Sequence, residues 1–194
     1  MEWLFALLTI SLLVWGVVLF NRLVRARNLV KAGFADVDVQ LQRRHDLVPR
    51  LVEVVKGQIG YERGLLDDVM AARTAARQAE QSGQPALMDR PEATLAAALG
   101  RMMLLAEDYP ELKTSQAFIE LGAELVATED LLSHARRFYN GAVRQLNTRV
   151  QQFPDLLVAR LFGFKEADFF SAAIEARTVP AVGRLLGERE SGST

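Results

Sequence analysis

Residues 115–154 read SQAFIELGAELVATEDLLSHARRFYNGAVRQLNTRVQQFP, and the spacing of their apolar side chains decides the fold. Phe118, Leu121, Leu125, Thr128, Leu132, Ala135, Tyr139, Val143, Leu146, Val150 and Phe153 follow in steps of three and four. That period places them on one face of an α-helix. The run from Ser115 to Gln152 predicts a rod about 57 Å long at about 1.5 Å per residue. Ser115 suits the N-cap position, and Pro154 closes the helix.

Working outward, a second stripe precedes it. Val30, Phe34, Val37, Leu41, Val48, Leu51 and Val55 fall on one helical face, interrupted only by Arg44. Pro49 is expected to kink that helix or remove one hydrogen bond. The pattern resumes with Ile59, Leu65, Val69, Ala72 and Ala76, and Gly57, Gly60 and Gly64 suit a bend between the two stretches. Ser82 to Pro91 reads as a loop, with Pro91 at the first position of a short helix carrying Leu95, Leu99, Met102 and Leu105. This helix should stop before Pro110. After Pro154 a shorter helix or turn runs through Leu156 to Phe164. No alternating strand pattern occurs.

Residues 3–20, WLFALLTISLLVWGVVLF, run without a charge. As a helix they span about 27 Å, close to the roughly 30 Å hydrocarbon core of a bilayer. A cleavable signal peptide needs a basic start and a shorter apolar core, whereas here Glu2 precedes the run. The segment therefore reads as a retained membrane helix. Arg22, Arg25, Arg27 and Lys31 crowd its C-terminal flank. By the positive-inside rule the short N-terminus lies outside and the remainder in the cytoplasm of a bacterial cell, at the inner membrane. The basic cluster is either a topology signal alone, the simpler reading, or also a contact for anionic lipid heads.

Long helices that each carry one apolar stripe must bury it against one another. The expected fold is all-α: a single transmembrane helix (1–20), an elongated antiparallel three- to four-helix bundle (21–178) and a flexible C-terminal tail (179–194).

The composition excludes several kinds of chemistry. With 194 residues, one ordinary domain and its attachments fit. The chain has no cysteine and two histidines, His45 and His134, which removes thiolate metal sites and cysteine nucleophiles. Its 23 basic and 24 acidic residues give a net charge of −1, so no nucleic-acid surface is expected. There is no phosphate loop, HExxH pair or GxSxG elbow. No cofactor, metal, catalytic residue or small-molecule substrate is expected.

Polar residues on the helical faces are more telling. Glu129, Arg136, Asn140 and Asn147 lie within about 20° of one direction on the last long helix. They form either an interhelical hydrogen-bond network or an interaction strip, and the network is the simpler reading. Arg44 belongs to the same question, because a charge on a core stripe needs a partner; Glu129 is the candidate. His45-Asp46-Leu47-Val48-Pro49 is one residue short of the phospho-accepting box of sensor kinases, and the chain lacks room for their ATP-binding domain. His45 is therefore expected to be an ordinary residue at the edge of the core.

Three blocks give the sequence a family resemblance: Val37 to Gly57, Glu107 to Lys113, and Thr128-Glu129-Asp130 with Ala135 to Asn140, Asn147 and Phe153-Pro154. Together they resemble the LemA family of bacterial membrane-anchored helical proteins, from the N-terminal helix to about Phe170. Arg50 stands where an asparagine is usual, and the segment after Phe170 has no clear counterpart. The resemblance implies an elongated helical bundle behind one membrane helix, without assigned catalytic residues. Arg44, Glu129, Arg136, Asn140 and Asn147 match positions of the family motifs. Some members belong to magnetosome gene sets and are tied to intracellular membrane formation; others neighbour membrane-protease or envelope-maintenance genes.

The expected function is a non-catalytic membrane-anchored scaffold or adaptor in membrane organisation or envelope maintenance. Its partners would be the lipid bilayer and either a membrane protein or further copies of itself. The alternative is a regulatory subunit of a membrane enzyme such as a protease.

Overall fold

The computed structural model describes residues 1–59 and 63–171. Every regular element among them is helical: α1 (Glu2–Ile59), α2 (Arg63–Glu80), α3 (Pro85–Leu105), a 3₁₀ turn (Ala106–Asp108), α4 (Pro110–Thr114), α5 (Gln116–Gln151) and α6 (Asp155–Leu161). The all-α expectation holds. The expected tail, 179–194, lies outside the described residues. Contacts group the described residues into two compact units, residues 1–37 with 135–169, and residues 38–134 with 170–171. Both α1 and α5 contribute a segment to each.

In the second unit the end of α1, all of α2 and α3, and the start of α5 surround one core. The short turn at 81–84 reverses the chain, so that α2 and α3 pack antiparallel. Val48, Leu51, Val55, Val69, Leu95, Met102 and Leu112 are all at most 1% exposed. Burying a side chain of this kind contributes roughly 1.5–3 kcal/mol. That burial outweighs the two prolines inside helices. Pro49 lies within α1 without ending it. It has no N–H to offer the carbonyl of His45 four residues back, and Arg73 Nε of α2 donates to that carbonyl instead, at 2.6 Å.

Pro91 corrects the sequence reading. The segment Ser82–Pro91 is not all loop: α3 begins at Pro85, and Pro91 sits inside it. Pro85 occupies the first turn, where a missing N–H costs nothing. Met88 and Glu92, each 1% exposed, then continue the stripe of Leu95 and Leu99. Gly83, at φ 64, makes the turn that precedes α3. As expected, α3 stops before Pro110, and Pro154 follows the end of α5.

In the first unit α1 meets α5 at Gly33, where an added Cβ would lie 3.1 Å from the Tyr139 Cα. The Phe34 and Tyr139 rings pack edge to face at 5.9 Å beside it. After α6, Gly163 at φ 68 turns the chain, and Phe164 N–H bonds the carbonyl of Ala159, the closing pattern of a Schellman motif. Residues 164–168 then return along α5. Gln151 donates to Glu166, Asn147 pairs with the Ala167 backbone, and Tyr139 donates to the Asp168 carbonyl.

The N-terminal part of α1 is one helix long and apolar enough to cross a membrane, with a mean hydropathy of 2.4 over an 18-residue window. From Trp3 to Val18 its large apolar side chains are exposed. Leu19 and Leu23, at 4% and 0%, are buried against protein.

Candidate functional site

The most concentrated polar chemistry among the described residues lies inside the second unit. Arg44 lies on the α1 core stripe, between Leu41 and Val48, and is 1% exposed. Its Nη1 donates to Glu92 Oε2 of α3 at 2.9 Å. Glu129 Oε1 of α5 lies 2.8 Å from Arg44 Nε, out of line with the N–H, so that contact is an ion pair more than an aligned hydrogen bond. The other Glu92 oxygen meets His45 Nε2 at 2.9 Å, and Glu80 Oε2 of α2 meets His45 Nδ1 at 3.1 Å. Two adjacent α1 residues thus tie that helix to three others, with Arg73 adding the bond to the His45 carbonyl.

His45 is a correction to the sequence reading. It is not at the edge of the core but 1% exposed, with a carboxylate at each ring nitrogen. Glu92 is thereby shared between Arg44 and His45, one carboxylate oxygen to each. Burial pushes the Glu80 carboxyl above its ordinary range; His45 pulls it down, and Asp38 adds to the rise. The His45–Glu80 contact thus sits where burial and a second carboxylate, Asp38, both act on Glu80.

This pair borders a polar cleft of about 380 Å³ lined by Asp38, Gln42, His45, Asp46, Arg77, Glu80 and Gln81. No cluster of histidine and carboxylate side chains with metal-holding geometry occurs among the described residues. The arrangement can fix helix register, since each contact of Arg44 and His45 reaches a different helix or shares a carboxylate with its neighbour.

The five residues marked by sequence divide between the units. Arg44 and Glu129 meet in the second. Arg136, Asn140 and Asn147 belong to the first. Arg136 is buried at 4%. The Asn147 amide donates to the Ala167 carbonyl and accepts from its N–H, each at 2.9 Å, so it clamps the returning segment to α5. Arg22, Arg25, Arg27 and Lys31 are exposed, and the Arg27 guanidinium lies 5.0 Å from the centre of the Phe164 ring.

Sequence reasoning missed Glu80, Glu92 and Arg73. For Glu92 the signal exists: it stands four residues after Met88 and three before Leu95, a charge on an apolar stripe like Arg44. Reading residues up to 91 as loop hid it. Nothing in the local pattern marks Glu80 or Arg73.

Comparison with known proteins gives this geometry a family. Magnetosome proteins MamQ 2 and MamQ 1 of Paramagnetospirillum magneticum are each 26% identical over 174 residues, covering 78% of this chain and 64% of theirs. Magnetosome protein MamQ of Magnetospirillum gryphiswaldense is 23% identical over the same shares. The chain thus spans 64% of the length of these relatives. The family match itself begins at residue 33, past the apolar segment, and reaches beyond Phe170, where the resemblance had been expected to end. Running over residues 33–183, it shows that this chain belongs to the LemA family.

Proposed function

We propose that this protein is a non-catalytic, single-pass scaffold or adaptor of the bacterial inner membrane. The observation that carries the reading is α1 itself. Its first part is apolar and exposed to the level of Val18, and the same helix continues without interruption into the packed units. A side-chain surface of that extent left open to water would be strongly unfavourable, and a bilayer removes the penalty. The exposed Arg22, Arg25, Arg27 and Lys31 that follow support an N-terminus outside and the packed units in the cytoplasm. The buried ion network supports a structural role, because Arg44 meets carboxylates of two other helices within the protein. Kinship to proteins named for magnetosomes supports a part in cell organisation.

In-membrane crosslinking of the full-length chain, followed by mass spectrometry, tests the reading. Ladders of this chain alone, or one stoichiometric membrane-protein partner, are the expected results. A chain that stays uncrosslinked would overturn it. If the partner is a protease whose activity changes when this gene is deleted, the regulatory-subunit reading replaces the scaffold.

A further inference from the structure

The first unit presents an apolar surface that α1 does not account for. Helix α6 has its sidedness reversed. Ala159 is fully buried, and Asp155 is buried beside Arg149 at 3.4 Å. Leu157 and Leu161, one turn apart, are 58% and 78% exposed. Phe153 before the helix and Phe162 after it are 71% and 59% exposed. Four large apolar side chains within ten residues, all turned outward, form a patch that asks for a covering surface.

Its position on the fold says which one. The Phe162 ring packs edge to face on Phe20 at 4.9 Å, and Phe164 on the same ring at 5.8 Å. Phe20 is the last residue of the uncharged run, with Asn21 and Arg22 following. A ring in contact with Phe20 lies within about one helical turn, roughly 5.4 Å, of its level. The polar interface on each side of the hydrocarbon is itself about 5–8 Å deep, and amphipathic helices insert about 5–10 Å into it. Exposed basic side chains stand close in sequence to Phe20 and to the patch: Arg22, Arg25 and Arg27 on α1, the last over the Phe164 ring, Arg160 on α6, and Lys165 beyond it. The neighbouring acid Glu166 is bonded to Gln151. Apolar side chains bordered by arginine and lysine at this depth match a surface carrying anionic headgroups.

We infer that α6 and its flanks, through Phe153, Leu157, Leu161 and Phe162, form a second membrane-contacting element that lies in the lipid interface beside the exit of α1. It rests on the reading of residues 3–20 as the membrane anchor. The protein would then be held at two points, which fixes the first unit against the bilayer instead of letting it pivot about one helix.

The chain has no cysteine, so single nitroxide labels are unambiguous. Full-length Leu161→Cys, Leu12→Cys and Asp36→Cys proteins are labelled, each in nanodiscs of phosphatidylcholine and phosphatidylglycerol. Accessibility to oxygen and to a water-soluble nickel chelate is then measured. Because Leu161 is exposed, its replacement removes no core packing. The expected result is a severalfold higher oxygen-to-nickel ratio at residue 161 than at residue 36, approaching that at residue 12. A water-like ratio at 161 with a lipid-like ratio at 12 overturns the inference while leaving the anchor. Shielding of 161 from both reagents means coverage by protein, such as a second copy, and overturns it too. A water-like ratio at 12 removes the anchor and the inference together. Leu157→Asp in a chain labelled at Phe162→Cys should lower the ratio there severalfold with helicity unchanged; no change would also count against lipid contact.

Discussion

The two units use the same pair of long helices but hold them by different physics. In the second unit the helices are joined by buried charge: Arg44 and His45 reach Glu80, Glu92 and Glu129 within an otherwise apolar core. In the first unit the joint is close approach at Gly33, aromatic edges, and a returning segment bonded through its backbone to Tyr139 and Asn147. Charges in a low-dielectric interior are costly unless matched, so the second unit tolerates little change in register. Apolar and backbone contacts are less directional, which suits a unit that carries the long apolar start of α1. The lesson is that a continuous helix does not imply a uniform interface.

The comparison is tested first where the expected effect is largest. Arg44→Ala takes the arginine partner from Glu92 Oε2 and from Glu129, and should lower unfolding stability by about 3–5 kcal/mol. Denaturation of the detergent-solubilised full chain measures this. Arg43→Ala on the same helix, whose partner Glu124 is 38% exposed at the side chain, should change it by less than about 0.5 kcal/mol. Equal losses in the two variants would remove the distinction between buried and surface charge on which the comparison stands.

Gly33→Val probes the first unit. Its side chain would press on Phe138 and on the backbone of Tyr139, and overpacking of this kind costs about 1–3 kcal/mol. A neutral result in the same unfolding assay would show that α1 and α5 can separate there without penalty. Asn147→Ala should cost about 1–2 kcal/mol, because it removes two half-buried hydrogen bonds to Ala167. Hydrogen exchange at the Ala167 amide should rise with it, and unchanged protection would mean that the returning segment is held elsewhere.

The smallest effect is one of pH. Burial raises the folded-state carboxyl of Glu80 above its ordinary value of 4.5. The folded protein therefore binds more protons than the unfolded chain in the window just above 4.5. This group's contribution is full below that value and is lost as pH rises through the folded pKa. Glu80→Gln should flatten the decline over that window. An identical pH profile in the variant would assign the dependence to another group.

Much of this molecule is legible in one dimension. The three-and-four spacing of Phe118 to Phe153 determines α5 almost to the residue, because a helix of such length can hide one stripe only at that period. The uncharged run from Trp3 to Phe20 marks the candidate membrane span, because length and hydropathy are all that such a span requires. Arg44 announces a buried charge by its direction. What the tertiary structure decided is where such charges find their partners. Glu92 lies 48 residues from Arg44, and Glu80 lies 35 from His45, separations that no local pattern encodes. It also decided that Pro91 stays helical and that Arg73 caps the carbonyl freed by Pro49. Finally, it turned α6 with its apolar side outward. Propensity and periodicity act over one or two turns, whereas ion pairing, the price of an unmatched carbonyl and the choice of a buried face depend on which helix lies opposite.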